Sequence, residues 1–458
     1  MPPTMLTVRD PEGGAVIGEL RVADPAAAEA ALAAAERAFR DGPMPAHRRA
    51  AVLARAATLV AERAESFAEL IATEGVKTIR EARREAARCA ETLRLGAEEA
   101  KRLDGGAVPL DQVPAGEGRL GFYERRAAGP VIGITPFNDP LNLVAHKVAP
   151  AIASGCPVIV KPHPKTPFSA LRLRDLLREA GLPEPQFEVL VGGAAVAGRL
   201  AADPRPRLVS FTGGREGGRA VAAAAAGKRL TLELGGVGVV AVAADADLEH
   251  AAAAIHAGAF WAAGQNCVHA QRIIADDAVH DALAERLVGR AAAMRLGRKR
   301  DETTDMGPCV DEASAERLAA ACRRAVAAGA TLACGGHHAG TRFAPTWLVD
   351  VADGNPVQRE ELFGPVSTLE RAPGFDDILR RVGAAGDAIH MALFSASLSN
   401  ALAMWRAAPA AAVIVNDSTD FRIDAMPFGG IGTAGLGREG VRDAIEAMTE
   451  KRMMILAA

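Results

Sequence analysis

The chain has 458 residues, 49% apolar and 24% charged, which is the balance of a globular protein with roughly two to four domains. Lys plus Arg number 53 against 56 Asp plus Glu, a net charge of -3, which excludes the broadly basic surface that nucleic-acid binding uses. No apolar run approaches the ~20 residues that span a bilayer, and residues 1–10 carry no apolar signal core, so a cytoplasmic protein with no membrane partner is expected.

From Pro25 to about Leu103, apolar residues recur at helical spacing, most clearly over 50–62, 66–73 and 79–95. Asp104-Gly-Gly stops this helical part, and 118–126 alternates like a strand or hairpin arm. After Gly129-Pro130 the texture changes. Short β-branched runs at 131–135, 158–161, 188–191 and 208–212 are separated by helical segments at 143–153, 169–180 and 194–201. That alternation predicts βαβ units and a parallel sheet. A second α/β series follows, at 237–243, 248–263, 272–275, 278–294, 313–328 and 411–416. A glycine-rich loop at 429–437 precedes a last helix over 442–449, and the main boundary is expected near Gly235-Gly236.

Cysteines 89, 156, 267, 309, 322 and 334 form no Cys-x-x-Cys pair and no zinc spacing, so reduced thiols and no metal site are expected. Cys267, in Gly264-Gln265-Asn266-Cys267, follows a helical run at a turn where a thiol can face a cleft and act as a nucleophile. A lone cysteine is more often a small core residue. Glu233, in Thr231-Leu-Glu-Leu-Gly-Gly, is flanked by leucines that would desolvate it and raise its pKa toward that of a general base; a salt-bridged strand residue is the plainer alternative. Asn138 follows a predicted strand, where a side-chain amide can donate to an oxyanion or simply make a turn. Phe211-Thr212-Gly213-Gly214-Arg-Glu-Gly217 pairs a glycine turn with a helix start, a setting for phosphate as well as for an ordinary tight turn. Lys161 ends a strand within reach of a ribose or phosphate, though a surface lysine is the default.

Together these motifs resemble the aldehyde dehydrogenase superfamily from about Ala26 to Met454. The matching stretches, in order, are Pro-Phe-Asn (136–138), Val-Lys-Pro (160–162), Phe-Thr-Gly (211–213), Leu-Glu-Leu-Gly-Gly (232–236), Gly-Gln-x-Cys (264–267), Glu-x-Phe-Gly-Pro (361–365) and Pro-Phe-Gly-Gly (427–430). The resemblance implies an α/β fold with a Rossmann-like cofactor domain (1–110 and 128–235), a catalytic domain (236–434) and oligomerisation elements (111–127 and 435–458) of a homodimer or homotetramer. It implies Cys267 as nucleophile, Glu233 as base, Asn138 and the Cys267 N–H as oxyanion donors, and Lys147 in proton relay. NAD or NADP would be bound by Thr135, Pro136, Lys161, Pro164, Phe211, Thr212, Gly213, Gly214, Gly217, Leu234, Glu361 and Phe363.

Three positions depart from the family pattern: Phe137 where Trp is common, Gly214 where Ser is common, and Pro164 where a Glu often binds the adenosine ribose. Losing that Glu removes a charge that would repel a 2′-phosphate, so NADP is expected to be tolerated, with Lys165 a candidate cation. If Asn138 opens a helix, Asp139, Asn142 and His146 share one face, which in the family lines the substrate tunnel. Arg422, six residues before Phe428, falls at another tunnel position, and Asn266 and Phe428 are expected beside it. Such polarity predicts a small polar aldehyde bearing hydroxyl, carboxylate, phosphate-like or amino groups; if Asp139 and Arg422 simply pair with each other, the tunnel is still narrow and polar but neither reads the substrate directly. Phe-Arg-Ile-Asp resembles lactaldehyde-type members. The competing readings are a CoA-acylating member, which often lacks the base kept here as Glu233, and a non-enzymatic cofactor-binding protein.

Overall fold

A computed structural model describes residues 4–457. The chain opens with an antiparallel hairpin, β1 (Met5–Arg9) and β2 (Val16–Arg21), and then four helices, α1 (Pro25–Arg40), α2 (Ala46–Glu62), α3 (Ala64–Glu74) and α4 (Ile79–Glu99). Thr78 caps α4 reciprocally with Glu81, as a side-chain oxygen at the N-cap and a carboxylate three residues on should. β3 (Gly106–Val108) and β4 (Arg119–Ala127) follow as a second antiparallel pair.

The predicted alternation then runs β5 (Val131–Ile134), α5 (Asn142–Ser154), β6 (Val158–Lys161), α6 (Phe168–Glu179), β7 (Phe187–Val189), α7 (Ala194–Ala202), β8 (Leu208–Gly213), α8 (Arg215–Ala224) and β9 (Arg229–Leu234). β9 was not foreseen as a strand; it carries Glu233 and lies parallel to β8. Every residue of α5 is buried, because the helix is packed on several sides against α2, α4 and the sheet.

The second series comprises β10 (Gly238–Val242), α9 (Leu248–Phe260), β11 (Ala270–Asp276), α10 (Asp277–Ala292), α11 (Glu312–Ala327), β12 (Thr331–Cys334), β13 (His338–Ala339), β14 (Arg342–Phe343), β15 (Thr346–Val349), β16 (Val366–Ala372), α12 (Phe375–Gly383), β17 (Ala388–Phe394), α13 (Leu398–Ala407) and β18 (Ala410–Val415). The chain closes with β19 (Gly435–Leu436), α14 (Val441–Met448) and β20 (Thr449–Ala457).

Two sheets dominate. A six-stranded sheet has the order β19-β9-β8-β5-β6-β7 and a seven-stranded one β12-β15-β16-β11-β10-β17-β18, each parallel except for one edge strand. The first sheet reverses its winding between β5 and β8, which opens a crevice at the carboxyl ends of the strands. The switch from one sheet to the other falls between Leu234 and Gly238, around the expected Gly235-Gly236 boundary.

The C-terminal part differs from expectation. β19 pairs with β9, and α14 packs on α5 within the core of the first layer, so residues 435–448 join that layer. Only β20 joins β3 and β4, making a three-stranded sheet instead of a simple hairpin. Residues 1–3 and 458, at the outer limits of the proposed segments, lie outside the described residues. Among the described residues no helix is long and apolar enough to cross a membrane.

Candidate active site

A cavity of about 430 Å³ opens where the carboxyl ends of β5, β6, β8 and β9 meet the loops of the second sheet. Its wall includes Thr135, Pro136, Lys161, Phe211, Thr212, Gly213, Gly214, Leu234, Glu361 and Phe363 from the expected cofactor set. Burial pushes the Glu361 carboxyl up to about 7, opposed by Arg215 and Arg317. A Cβ on Gly235, just past the strand end, would displace that carboxylate from its present position. Burial also lowers the Lys161 ammonium to about 8. Phe363 holds a left-handed φ of 48° and meets Phe137 edge-on at 5.8 Å, and Phe137 meets His163 at 5.4 Å. His163, not foreseen, thus extends an aromatic wall.

This donor set fits a dinucleotide. The Thr135 hydroxyl is buried without a partner, and α8 begins at Gly214 with no side chain capping its N–H groups. Two expected members stand off the wall. Gly217 lies close to the Phe211 ring, where a Cβ would make a tight contact at 3.1 Å, and Pro164 turns to a neighbouring hollow. Lys165 is not a free cation, because Asp311 pairs with it.

Cys267 is reached through a strained approach. Ala262, Ala263 and Gly264 take left-handed φ values of 50°, 53° and 65° in succession. Surrounding bonds hold this turn: the Glu81 carboxylate accepts from Ala262 N at 2.8 Å, so the capping residue of α4 also anchors the nucleophile loop. Gln265 donates to Ala262 O and Pro308 O and accepts from Val310 N, which explains the Gln of Gly-Gln-x-Cys. Burial pushes the Cys267 thiol up to about 12, with Arg422 acting against that rise. Asn138 lies on the same wall with its side-chain oxygen buried and unpartnered.

Glu233 faces the cavity at 2% exposure, and neither carboxylate oxygen has a hydrogen-bond partner. Burial raises its pKa well above the usual value, Glu439 adds to the rise, and Lys147 and Arg422 oppose it. Lys147 stands behind the wall, fully buried, where it pairs with Glu439 and donates to Thr212 Oγ1 at 2.7 Å. Burial works against ionisation of Glu439, yet Lys147, His146 and Arg422 outweigh it and hold the carboxyl low. Glu439 was missed; its only signal was an acid within a glycine-rich stretch, and it is placed by backbone pairing with Phe428.

The expected substrate face is partly overturned. The helix begins at Asn142, not Asn138, and Asn142 and His146 turn away from the cavity. Both contact the buried Asp424 carboxylate, at 3.0 and 2.8 Å, and Asn142 also accepts from Thr92. Asp139 does line the cavity but is paired with Lys77, with Arg88 3.7 Å away. Asp139 and Arg422 therefore do not pair with each other. Arg422, Asn266 and Phe428 are on the wall, and the guanidinium lies over the Phe428 ring at 3.6 Å. Arg88, Trp261, Asp420 and the missed Glu439 are also on the wall and were not foreseen. Arg88 and Asp424 are 336 residues apart, so no local pattern reveals their pair.

The chain belongs to the aldehyde dehydrogenase family, whose model matches residues 2–454. It is 42% identical to aspartate-semialdehyde dehydrogenase 1 of Pseudomonas canavaninivorans, over 90% of this chain and 88% of that one. It is 38% identical to 3-sulfolactaldehyde dehydrogenase of Priestia megaterium, over 96% and 92%. A solved glyceraldehyde-3-phosphate dehydrogenase of Methanocaldococcus jannaschii in complex with NADP superposes with a TM-score of 0.95 at 31% identity, covering 99% of each chain. The protein is an NAD(P)-dependent aldehyde dehydrogenase in class, with the fold of that family.

Proposed function

We propose that this chain oxidises a small polar aldehyde to its carboxylate through covalent catalysis at Cys267. The observation that carries this reading is the convergence of Cys267, Asn138 and Glu233 on one cavity wall. Cys267 as thiolate attacks the aldehyde carbon, forming the C–S bond of a thiohemiacetal. The Asn138 side-chain amide and the Cys267 backbone N–H donate to the resulting oxyanion. Bound NAD or NADP supplies a hydride acceptor, held by Lys161, Glu361 and the start of α8. Loss of hydride from the former aldehyde carbon leaves a thioester on Cys267. Glu233 takes a proton from water, which attacks the thioester and releases the carboxylate and the thiol. The Lys147–Glu439 pair, whose charges act on Glu233, is assigned the relay of that proton.

The charged groups on an otherwise largely apolar wall support a polar substrate, since Arg422, Arg88 and Asp420 would lose hydration against an alkyl chain. The relatives' names, which specify semialdehyde, sulfonate and phosphate substrates, support the same class. We assign cofactor binding to 1–110 and 128–235, catalysis to 236–434, and homo-oligomer formation to 111–127 with β20. The test is an aldehyde panel with NAD and NADP, with and without CoA, on wild type and Cys267→Ala. Carboxylate formation lost in Cys267→Ala but kept in Cys322→Ala is expected. Acyl-CoA as the product, or normal turnover by Cys267→Ala, overturns the mechanism.

A further inference from the structure

Residues 420–424 pass the cavity with alternating sides. Phe421 and Ile423 are 47% and 54% exposed, while Asp420 and Arg422 turn to the cavity and Asp424 to the protein interior. Two guanidinium groups meet there with unused donors. Arg422 Nε is buried without a partner, while its Nη2 lies 3.3 Å from His146 Nε2 and 3.6 Å from Glu439, which is already engaged by Lys147. Arg88 spends Nε and Nη2 on Asp424, at 3.2 and 2.7 Å, and leaves Nη1 3.7 Å from Asp139.

Asp420 is the opposite case. Its carboxylate lies on the cavity wall against Gly258 of α9, where a Cβ would touch it. Burial pushes its carboxyl up to about 6, the Asp417 carboxylate adds to the rise, and the Ser418 hydroxyl opposes it. Among the described residues no Lys, Arg or His is paired with it. A partly buried carboxylate without a cation is unfavourable unless a ligand supplies one. The catalytic steps proposed above make no use of it.

Building on the dehydrogenase reading above, we propose that the substrate is a short aldehyde carrying an anionic group, taken by Arg422 and Arg88, together with a protonated amine, taken by Asp420. An aldehyde with the anion alone leaves Asp420 uncompensated and adds a second negative charge near it. A neutral alkyl aldehyde leaves all three groups stripped of water. Sites built around polar partners reject analogues that lack them far more strongly than apolar pockets reject a missing methylene.

The experiment compares kcat/KM of the full-length enzyme, with its better cofactor, for three aldehydes of four carbons: aspartate semialdehyde, succinate semialdehyde and butanal. Each step down that series is expected to cost about tenfold or more. Asp420→Asn should reduce the aspartate-to-succinate semialdehyde ratio by about tenfold while holding succinate semialdehyde within about threefold. Arg88→Gln should lower both anionic substrates and spare butanal. Succinate semialdehyde equal to or better than aspartate semialdehyde in wild type overturns the amine assignment and leaves the dehydrogenase reading standing. So does an Asp420→Asn loss shared equally by both anionic substrates, as a merely structural role would give. Butanal as the best substrate overturns the polar reading as well, and no turnover of any aldehyde overturns the dehydrogenase reading itself. Should Asp420→Asn fail to fold, inhibition of wild type by the products decides: aspartate is expected to bind at least about tenfold tighter than succinate, and equal or weaker binding refutes the proposal.

Discussion

Exchanging Glu233 for Gln separates the two halves of the proposed reaction. The carboxyl is 2% exposed, neither oxygen is hydrogen-bonded, and Glu439 repels its ionised form, so Glu233 is a neutral acid over much of the pH range in which other carboxylates are charged. Raising the pH creates the base form, so the wild-type steady-state rate should still be climbing with pH above the usual carboxylate range. Gln keeps the shape and removes the proton acceptor. A positioned general base contributes about 10²–10⁴ in rate, which is about 2.7–5.4 kcal/mol of barrier. Glu233→Gln should therefore lose about 10²–10⁴ in steady-state turnover and lose the pH dependence. Its first turnover should stay within about threefold of wild type, because Cys267 and Asn138 are untouched. Stopped-flow absorbance of NAD(P)H reads both phases in one trace. An unchanged steady state would refute the base assignment. A burst reduced by the same factor would mean that Glu233 also activates the thiol.

Asp424→Asn removes the charge of a largely buried ion pair with Arg88 and sets an amide NH2 against Arg88 Nε, while keeping an oxygen for Asn142 and His146, and should cost about 3 kcal/mol in urea unfolding. Burial opposes ionisation of Asp424, but His146 and Arg88 outweigh it and hold its folded pKa well below the usual carboxylate value. The wild-type advantage should accordingly be complete above the ordinary carboxylate pKa and shrink as pH falls toward the depressed one. Steady-state kinetics with both cofactors should show NADP accepted, since Pro164 brings no carboxylate to that region; a preference for NAD beyond ~100-fold, about 2.7 kcal/mol, would refute this. Asp311→Asn, which frees Lys165, should lower the KM for NADP and leave that for NAD unchanged. Phe122→Asp with Ile455→Asp, on the exposed apolar side chains of β4 and β20, should shift the mass measured by light scattering to a smaller species.

The chemistry was legible where it depends on short motifs. Cys267, Glu233, Asn138, Glu361 and Phe363 reach one wall because each motif sits at a strand end or in a turn that the local pattern already marks. The parallel sheet was equally plain from its β-branched runs. β20 was hidden because residues 449–457 begin with charges and end apolar, with no alternation to mark a half-buried strand. The helix face carrying Asn142 and His146 was phased correctly, since both reach Asp424, but what that face meets depends on a loop about 280 residues away. Asp139 was drawn off by Lys77 and Arg88, contributed by α4 and the turn before it, and no spacing in the sequence announces that contact.

The alternation at 420–424 also bears on how such an enzyme changes its diet. Because successive residues of this loop turn to opposite sides, slipping it by one residue would exchange the two sets. Phe421 and Ile423 would face the cavity in place of Asp420 and Arg422. A single inserted or deleted codon in this loop, with Cys267, Glu233 and Asn138 unmoved, would convert a charged mouth into a greasy one suited to alkyl and aryl aldehydes. Natural variation in substrate class among such chains should therefore show up here as length changes as well as substitutions.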